Sequence, residues 1–186
     1  SSLLAVWTGD GSGYQIAQTQ PMKLAAVEGL YEGGTNVGLV GIGMLNPEKK
    51  TYNDGKDPFL FRIEIPSMLS FLAERDVDGY VPGITNIIEG GYQLKDGTTA
   101  LSAAEKIERG KTAIGALAAY RAAKSAGHEE DAAVAYQVLQ ENMPYFGYGY
   151  IKDVNQLVPN VPLNFYAFRI MAVSYTHLRA HETLRH

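Results

Sequence analysis

TTALSAAEKIERGKTAIGALAAYRAAKSA, residues 98–126, is the longest helical pattern in the chain. Its apolar residues recur at helical spacing and form one stripe, which is typical of a helix packed on a core. These residues are Leu101, Ala104, Ile107, Ile114, Leu117 and Ala118. Gly110 and Gly115 each cost a helix about 1 kcal/mol relative to alanine, so they indicate close packing or a local weakness. Gly127 ends the helix, and the acidic residues 129–131 suit the first turn of a second helix.

Shorter helices are predicted on either side of a central strand region. Residues 20–31 form good helical sequence with a proline in the first turn, and the Gly33-Gly34 pair is expected to end it. Residues 66–74 predict a second short amphipathic helix. GDGSG at residues 9–13 predicts a tight, glycine-rich turn, and residues 76–92, rich in glycine, are expected to be irregular.

Two strands are predicted between these short helices, at residues 37–45 and 58–65. The second strand alternates cleanly, so its bulky apolar residues are expected on one face. These residues are Phe59, Phe61, Ile63 and Ile65. A longish polar loop joins the strands into a hairpin, and a lone hairpin is only marginally stable unless it packs on something. The fold class is therefore mainly α with a small β-hairpin.

Composition excludes several classes of function. The 186 residues carry a net charge of −4, which argues against a nucleic-acid binder because phosphate neutralisation needs a basic surface. Cysteine is absent, so the chain has no disulfide framework, no thiolate nucleophile and no cysteine-based metal site. Sequence signatures of serine or metal-dependent hydrolases are also missing.

Two apolar runs, residues 3–7 and 165–173, flank the polar middle of the chain. Neither approaches the roughly 20 residues that a membrane-spanning helix needs. They are either ordinary core segments or the ends of membrane helices. The second run contains Arg169, which is costly in apolar surroundings unless it pairs with an anion or faces a cavity. It also contains Met171, which is either core filler or an axial haem ligand.

Lys23 and Glu28 are the ionisable residues of the first short helical stretch. Five residues correspond to about 140° around a helix, so the two side chains do not form an i,i+4 salt bridge with each other. Either both are solvated, or each has a partner elsewhere in the fold.

The last 13 residues, 174–186, differ in character from the apolar run before them and contain three of the four histidines. His177 and His181 are four apart and share a helix face, which is a possible metal pair. The opposing interpretation is that this basic, polar segment is a non-native tail whose histidines have no role.

Four motifs in a fixed order connect these observations. They are GDGSGY (residues 9–14), KLAAVE (23–28), FRIEIP (61–66) and AFRIM (167–171). This series resembles subunit I of the cytochrome bd quinol oxidases over about residues 1–173. In that family the first motif follows the sixth transmembrane helix. The second lies in the large extracytoplasmic quinol-binding loop, the Q-loop, and the fourth opens the seventh helix.

The resemblance implies a role for each candidate. Lys23 and Glu28 match the residues at the quinol site, the lysine binding a quinone oxygen and the carboxylate accepting a proton. Met171 matches the axial ligand of the low-spin haem b558 iron, and Arg169 the arginine beside that haem. The resemblance further implies a quinol:oxygen oxidoreductase that passes electrons through haem b558 to haem b595 and haem d, which other parts of the subunit bind. This chain alone is not expected to be active.

The resemblance also implies an organisation for the chain. Residues 1–8 are expected to end one transmembrane helix, residues 9–160 to form the Q-loop and residues 161–173 to begin the next helix. The expected partners are quinol, subunit II and the lipid membrane, with the loop on the extracytoplasmic, periplasmic side of a bacterial cytoplasmic membrane. The alternative is a stand-alone soluble helical binding module without redox activity.

Overall fold

The computed structural model describes the backbone of residues 2–183 and the side chains of residues 11–175 and 177. Seven α-helices and one two-stranded antiparallel sheet make up this described part, so the predicted fold class is confirmed. The helices are α1 (Ser2–Thr19), α2 (Pro21–Glu28), α3 (Met68–Glu74), α4 (Ile84–Glu89), α5 (Ala103–Ala126), α6 (Glu129–Asn142) and α7 (Val161–Thr183). The strands are β1 (Leu39–Leu45) and β2 (Phe59–Ile65). Two 3-10 segments, Met143–Tyr150 and Val154–Leu157, precede α7.

Within the described residues, no helix combines the length and the apolar character that a membrane crossing requires.

The chain divides into two compact units, one of residues 1–87 with 158–186 and the other of residues 88–157. In the first unit, α1 packs on α2 and α3, and α2 packs on α7. Four buried residues form one cluster of its core, with partly buried apolar side chains around them. The buried members are Ala17, Leu69, Ala73 and Val81.

The predicted turn at residues 9–13 is wrong, because α1 continues through it to Thr19. Gly11 and Gly13 are exposed and do not adopt the positive φ that would make a turn require glycine. Glycine weakens a helix by about 1 kcal/mol without preventing it. A glycine-rich sequence therefore allows a turn here but does not impose one.

The first short helix ends earlier than predicted. Gly29, not the Gly33-Gly34 pair, is its C-cap, in a left-handed conformation with a φ of 64°. A Cβ at Gly29 would lie 3.0 Å from the ring of Phe59 and 3.2 Å from Leu45. Glycine is therefore required here both by the backbone conformation and by the close approach of the hairpin.

The hairpin is confirmed, but its predicted apolar face is wrong at one position. Pairing passes from Met44–Phe61 directly to Leu45–Phe59, so Leu60 is an extra residue on β2. A bulge of this kind reverses the face that the next side chain occupies. Phe59 is consequently buried, whereas the other three predicted members are more than half exposed. Those three are Phe61, Ile63 and Ile65.

The polar loop between the strands is ordered by Asp54. Its carboxylate accepts hydrogen bonds from the backbone N–H groups of Lys50 and Lys56 and from the Lys49 ammonium at 2.9 Å. The Lys49 ammonium holds the pKa of Asp54 well below its usual range, and these backbone donors lower it further. Lys49 also lies 4.5 Å from the centre of the Tyr31 ring. The loop is thus tied to the chain that follows α2.

The second unit is built on α5 and α6. Ser102 caps α5 by accepting from the N–H of Glu105, and the Glu105 carboxylate accepts from the N–H of Ser102 in return. This capping box starts the helix at Ala103, inside the predicted range of 98–126. One buried cluster of the unit consists of Ala113, Ala116 and Leu139, with Leu117, Val138 and Phe146 packed around it.

Residues 76–92 were expected to be irregular, yet they contain α4. Its six residues are too few for a periodic pattern to identify a helix by itself. The side-chain carbonyl of Asn86 accepts from the N–H groups of Gly33 and Gly83, which ties this part of the chain to the segment that follows α2.

We expect Gly110→Ala to destabilise the chain and Gly115→Ala to stabilise it. A Cβ at Gly110 would lie 2.3 Å from the backbone nitrogen of Gly149, so the 3-10 segment would have to move, whereas a Cβ at Gly115 meets nothing within 4 Å. Overpacking of this kind costs about 1–3 kcal/mol, against a gain in helix propensity of about 1 kcal/mol that both changes share. Denaturant unfolding followed by circular dichroism measures the free energy of unfolding of both variants. Equal effects would contradict the close packing of Gly110.

Candidate functional site

An ion pair between α2 and α7 joins two of the predicted site residues. The Nη2 group of Arg169 donates to the Oε2 atom of Glu28 at 3.0 Å, across 141 residues of sequence. Glu28 is 4% exposed, and the side chain of Arg169 is 16% exposed. Of the two possibilities for an arginine in this apolar run, pairing with an anion or facing a cavity, the structure shows the first, and Glu28 has its partner on another helix.

Arg169 is held by more than the carboxylate. Its guanidinium donates to the backbone carbonyl of Val27 at 2.8 Å, of Val40 at 2.7 Å and of Phe165 at 3.2 Å. The same group lies 3.5 Å from the centre of the Phe165 ring, a cation–π contact. These contacts compensate for the loss of water around a mostly buried cation. They also connect the end of α2, the start of β1 and one turn of α7.

Phe165 is the apolar anchor of this arrangement. It is fully buried, and its ring makes edge contacts with Phe59 at 5.6 Å and Tyr166 at 5.2 Å between centroids. The hydroxyl of Tyr166 accepts from the N–H of Leu45 at 2.9 Å. The hairpin is therefore packed on α7 through Phe59 and Leu45. A two-stranded sheet needs such packing against another element to be stable.

Burial and the neighbouring positive charge shift the pKa of Glu28 in opposite directions. Loss of solvent around the carboxyl raises its pKa above the usual value, and this is the larger influence. The positive charge and hydrogen bond of Arg169 lower the pKa, as does a hydrogen bond from the backbone of Val40. The net pKa of Glu28 is raised. A carboxyl tuned upward in this way suits proton exchange closer to neutral pH than an exposed glutamate.

Lys23 lies on a different side of α2 from Glu28. Its side chain is exposed, and the two positions are separated by about 140° around the helix. The described structure therefore brings Glu28 and Arg169 together and leaves Lys23 directed to solvent. The backbone of Lys23 is tied to the turn before the helix through the carbonyl of Gln20.

Met171 lies on the exposed side of α7, and its side chain is 60% exposed. Two residues correspond to about 200° around a helix, so Met171 lies nearly opposite Arg169. Phe168 and Tyr175, both exposed, share the face of Met171 at helical spacing. An accessible thioether flanked by aromatic side chains fits the contact of a methionine ligand with haem iron and an apolar porphyrin face. The predicted place of Arg169 beside that haem stays a prediction.

The histidines of the last segment contribute no site within the described residues. His177 is exposed on α7, and the side chain of His181 lies outside the described part of the chain. Among the side chains that the structure describes, no cluster of three or more His, Asp or Glu residues is arranged to hold a metal ion.

Some partners of the site could not be found from local pattern. The carbonyls of Val27 and Val40 carry no signal in sequence, because every residue has a carbonyl and only the fold decides which are free. Phe165 was recognisable only as a member of an apolar run. The one usable signal was Arg169 itself, since a charge in an apolar segment requires a partner.

Comparisons with known proteins agree with the motif series. A family model described as cytochrome bd terminal oxidase subunit I matches residues 1–183. The chain is similar to cytochrome bd-II ubiquinol oxidase subunit 1 of Escherichia coli (strain K12), with 29% identity over 177 residues. That similarity covers 88% of this chain and 30% of the relative, so the chain spans about a third of the relative's length.

A bd oxidase from Geobacillus thermodenitrificans is a similar solved structure. The comparison covers 99% of this chain and 45% of that one, with a TM-score of 0.38 and 19% sequence identity. The family match, which includes nearly every residue described above, carries the assignment by itself. The chain therefore belongs to the cytochrome bd terminal oxidase subunit I family.

Proposed function

We propose that this chain is the quinol-oxidising loop of a cytochrome bd-type terminal oxidase, with the ends of the two helices that flank it. The observation that carries the proposal is the contact between Glu28 and Arg169. Each belongs to a motif that resembles a functional segment of the family, and the fold places their side chains 3.0 Å apart. A buried carboxyl whose pKa is shifted by loss of solvent and by a specific charged partner is a candidate functional group.

In this proposal Glu28 and Lys23 act on the quinol. Oxidation of a quinol to a quinone releases two electrons and two protons. Glu28 accepts one proton from a quinol hydroxyl and the other proton passes to water, while the exposed ammonium of Lys23 donates a hydrogen bond to a quinone oxygen. Because the two side chains leave α2 about 140° apart, a quinol that contacts both would have to extend around the helix.

Met171 would ligate the iron of haem b558, with Phe168 and Tyr175 against the porphyrin. When bound, that haem supplies a one-electron acceptor for quinol oxidation. Haem b595 and haem d belong, in this proposal, to parts of the subunit that the chain does not include. The same holds for the reduction of oxygen.

The proposed setting is the bacterial cytoplasmic membrane. Residues 9–160 form the Q-loop on the extracytoplasmic side, and residues 1–8 and 161–173 belong to the flanking helices. The rest of subunit I, subunit II and lipid are the proposed partners. Family membership favours this reading over a stand-alone soluble binding module.

Lys23→Ala in the full-length subunit is expected to reduce kcat/KM for quinol about tenfold or more. A hydrogen bond from a charged donor contributes about 1.5–3 kcal/mol, and its loss appears in kcat/KM as binding of the quinone oxygen weakens. Oxygen uptake driven by a soluble quinol measures this. Lys50→Ala is the matched control, an exposed lysine of the hairpin loop. Unchanged quinol turnover in Lys23→Ala, with the haem spectrum intact, would remove Lys23 from the site.

A further inference from the structure

The guanidinium of Arg169 occupies a junction of three segments of the first unit. It donates to carbonyls at the end of α2, in β1 and within α7, and to the Glu28 carboxylate. We propose that Arg169 is a positioning residue for Glu28, which holds that carboxylate ionised and in place so that it can accept the quinol proton. This inference rests on the proposed function and adds a residue to its proton-accepting step.

Among the described groups around Glu28, Arg169 supplies the charge that stabilises the ionised carboxylate. Among the described groups, the Arg169 guanidinium is the one whose charge acts on the carboxyl, together with a backbone hydrogen bond from Val40. β1 contains no ionisable side chain. Lys23, on the same helix as Glu28, is exposed on another side. Burial alone drives the carboxyl toward its neutral, protonated form, in which it has no capacity to accept another proton.

Three of the four hydrogen bonds of Arg169 do not involve Glu28. The carbonyls of Val27, Val40 and Phe165 stay available whichever charge the carboxyl carries, and the Phe165 ring stays beneath the guanidinium. Protonation of Glu28 therefore weakens one contact without releasing the arginine. The fixed cation then favours departure of the proton and restores the carboxylate for the next turnover.

The test is the pH profile of quinol-driven oxygen uptake by the full-length oxidase. Turnover requires the Glu28 carboxylate, so its acid limb follows the pKa of Glu28. Arg169→Gln removes a charge that lowers this pKa, so the limb is expected to move to higher pH by about 1–3 units. Arg169→Lys, which keeps the charge with fewer hydrogen bonds, is expected to move it upward by less. Arg109→Gln is the matched control, since that arginine stacks on Tyr145 at 5.5 Å instead.

A second readout is independent of turnover. The infrared carbonyl band of the protonated Glu28 carboxyl, identified by its loss in Glu28→Gln, is expected to titrate at higher pH in both Arg169 variants than in the wild type. If the Arg169→Gln oxidase does not assemble with its haems, the titration midpoint of the Glu28 carbonyl band in the Arg169→Lys variant is the test. An unchanged midpoint there would overturn the inference.

The outcomes separate this inference from the proposed function. A uniform loss of rate in Arg169→Gln at every pH, with the acid limb unmoved, would reduce Arg169 to a structural role and leave Glu28 as proton acceptor. Full quinol turnover in Glu28→Gln would instead overturn the proposed function, and the inference with it. The expected result is that Arg169→Gln moves the acid limb of the pH profile when Glu28 is present. The same change is expected to cause no such shift in the Glu28→Gln background.

Discussion

Glu28→Gln in the full-length oxidase is expected to lower quinol-driven turnover by a factor on the order of 10²–10⁴, the usual contribution of a positioned general base. Glutamine preserves the shape of the side chain and a carbonyl oxygen that can accept from Arg169. It cannot accept a proton from the quinol hydroxyl. Because the step that fails is proton transfer, kcat is expected to fall more than KM rises. Stopped-flow reduction by quinol and steady-state oxygen uptake measure the effect.

Glu64→Gln is the matched control for this change. Glu64 also pairs with an arginine, Arg62, at 3.4 Å, but its side chain is 39% exposed. Exposed pairs of this kind contribute about 0–1 kcal/mol, so the control is expected to keep its turnover and its haem spectra. Retention of the haem spectra by Glu28→Gln shows that the subunit has assembled. Quinol turnover within threefold of the wild type would contradict the role of Glu28.

Met171→Leu is expected to abolish the low-spin haem b558 signal in the full-length oxidase. Leucine has nearly the volume of methionine, so packing changes little, but it has no sulfur lone pair to bind iron. The haem spectrum therefore reports ligation and not a general loss of structure. Reduced-minus-oxidised difference spectra, with magnetic circular dichroism of the low-spin state, measure the outcome.

Met143→Leu is the corresponding control, because Met143 is exposed to nearly the same extent, 56% against 60%. It lies at the start of a 3-10 segment in the second unit and is not part of the proposed ligand motif. This control is expected to leave the low-spin signal unchanged. A normal low-spin signal in Met171→Leu would show that the haem ligand is another residue, and it would leave the quinol proposal standing on Glu28.

Elements with a clear repeating pattern were predictable from sequence. The stripe of α5 recurs over many turns, and β2 alternates over seven residues, so both were located within a few residues of their observed ends. Two other helical segments, α4 and the part of α1 from residue 9 onward, were not predicted. The six residues of α4 are too few for a period to emerge, and the glycines in α1 suggested a turn that the helix does not make.

The faces of the hairpin show the limit of periodic reasoning. Alternation placed Phe59 with Phe61, Ile63 and Ile65, and the bulge at Leu60 moved it to the opposite side. A bulge arises from how two strands pair, and the pattern of one strand contains no record of that pairing. The burial of Phe59 depends on Phe165, more than 100 residues later, whose ring it contacts.

The sequence by itself determined the mainly helical fold with one hairpin, the membership in a family of membrane oxidases and the need of Arg169 for a partner. Each of these depends on local periodicity, on short motifs or on the cost of a charge in an apolar segment. Only the tertiary structure decided that the partner is Glu28, that three backbone carbonyls share the guanidinium and that Met171 faces the other side of α7. Those facts arise from the packing of α2, β1 and α7, and contacts across 141 residues leave no trace in the spacing of either segment.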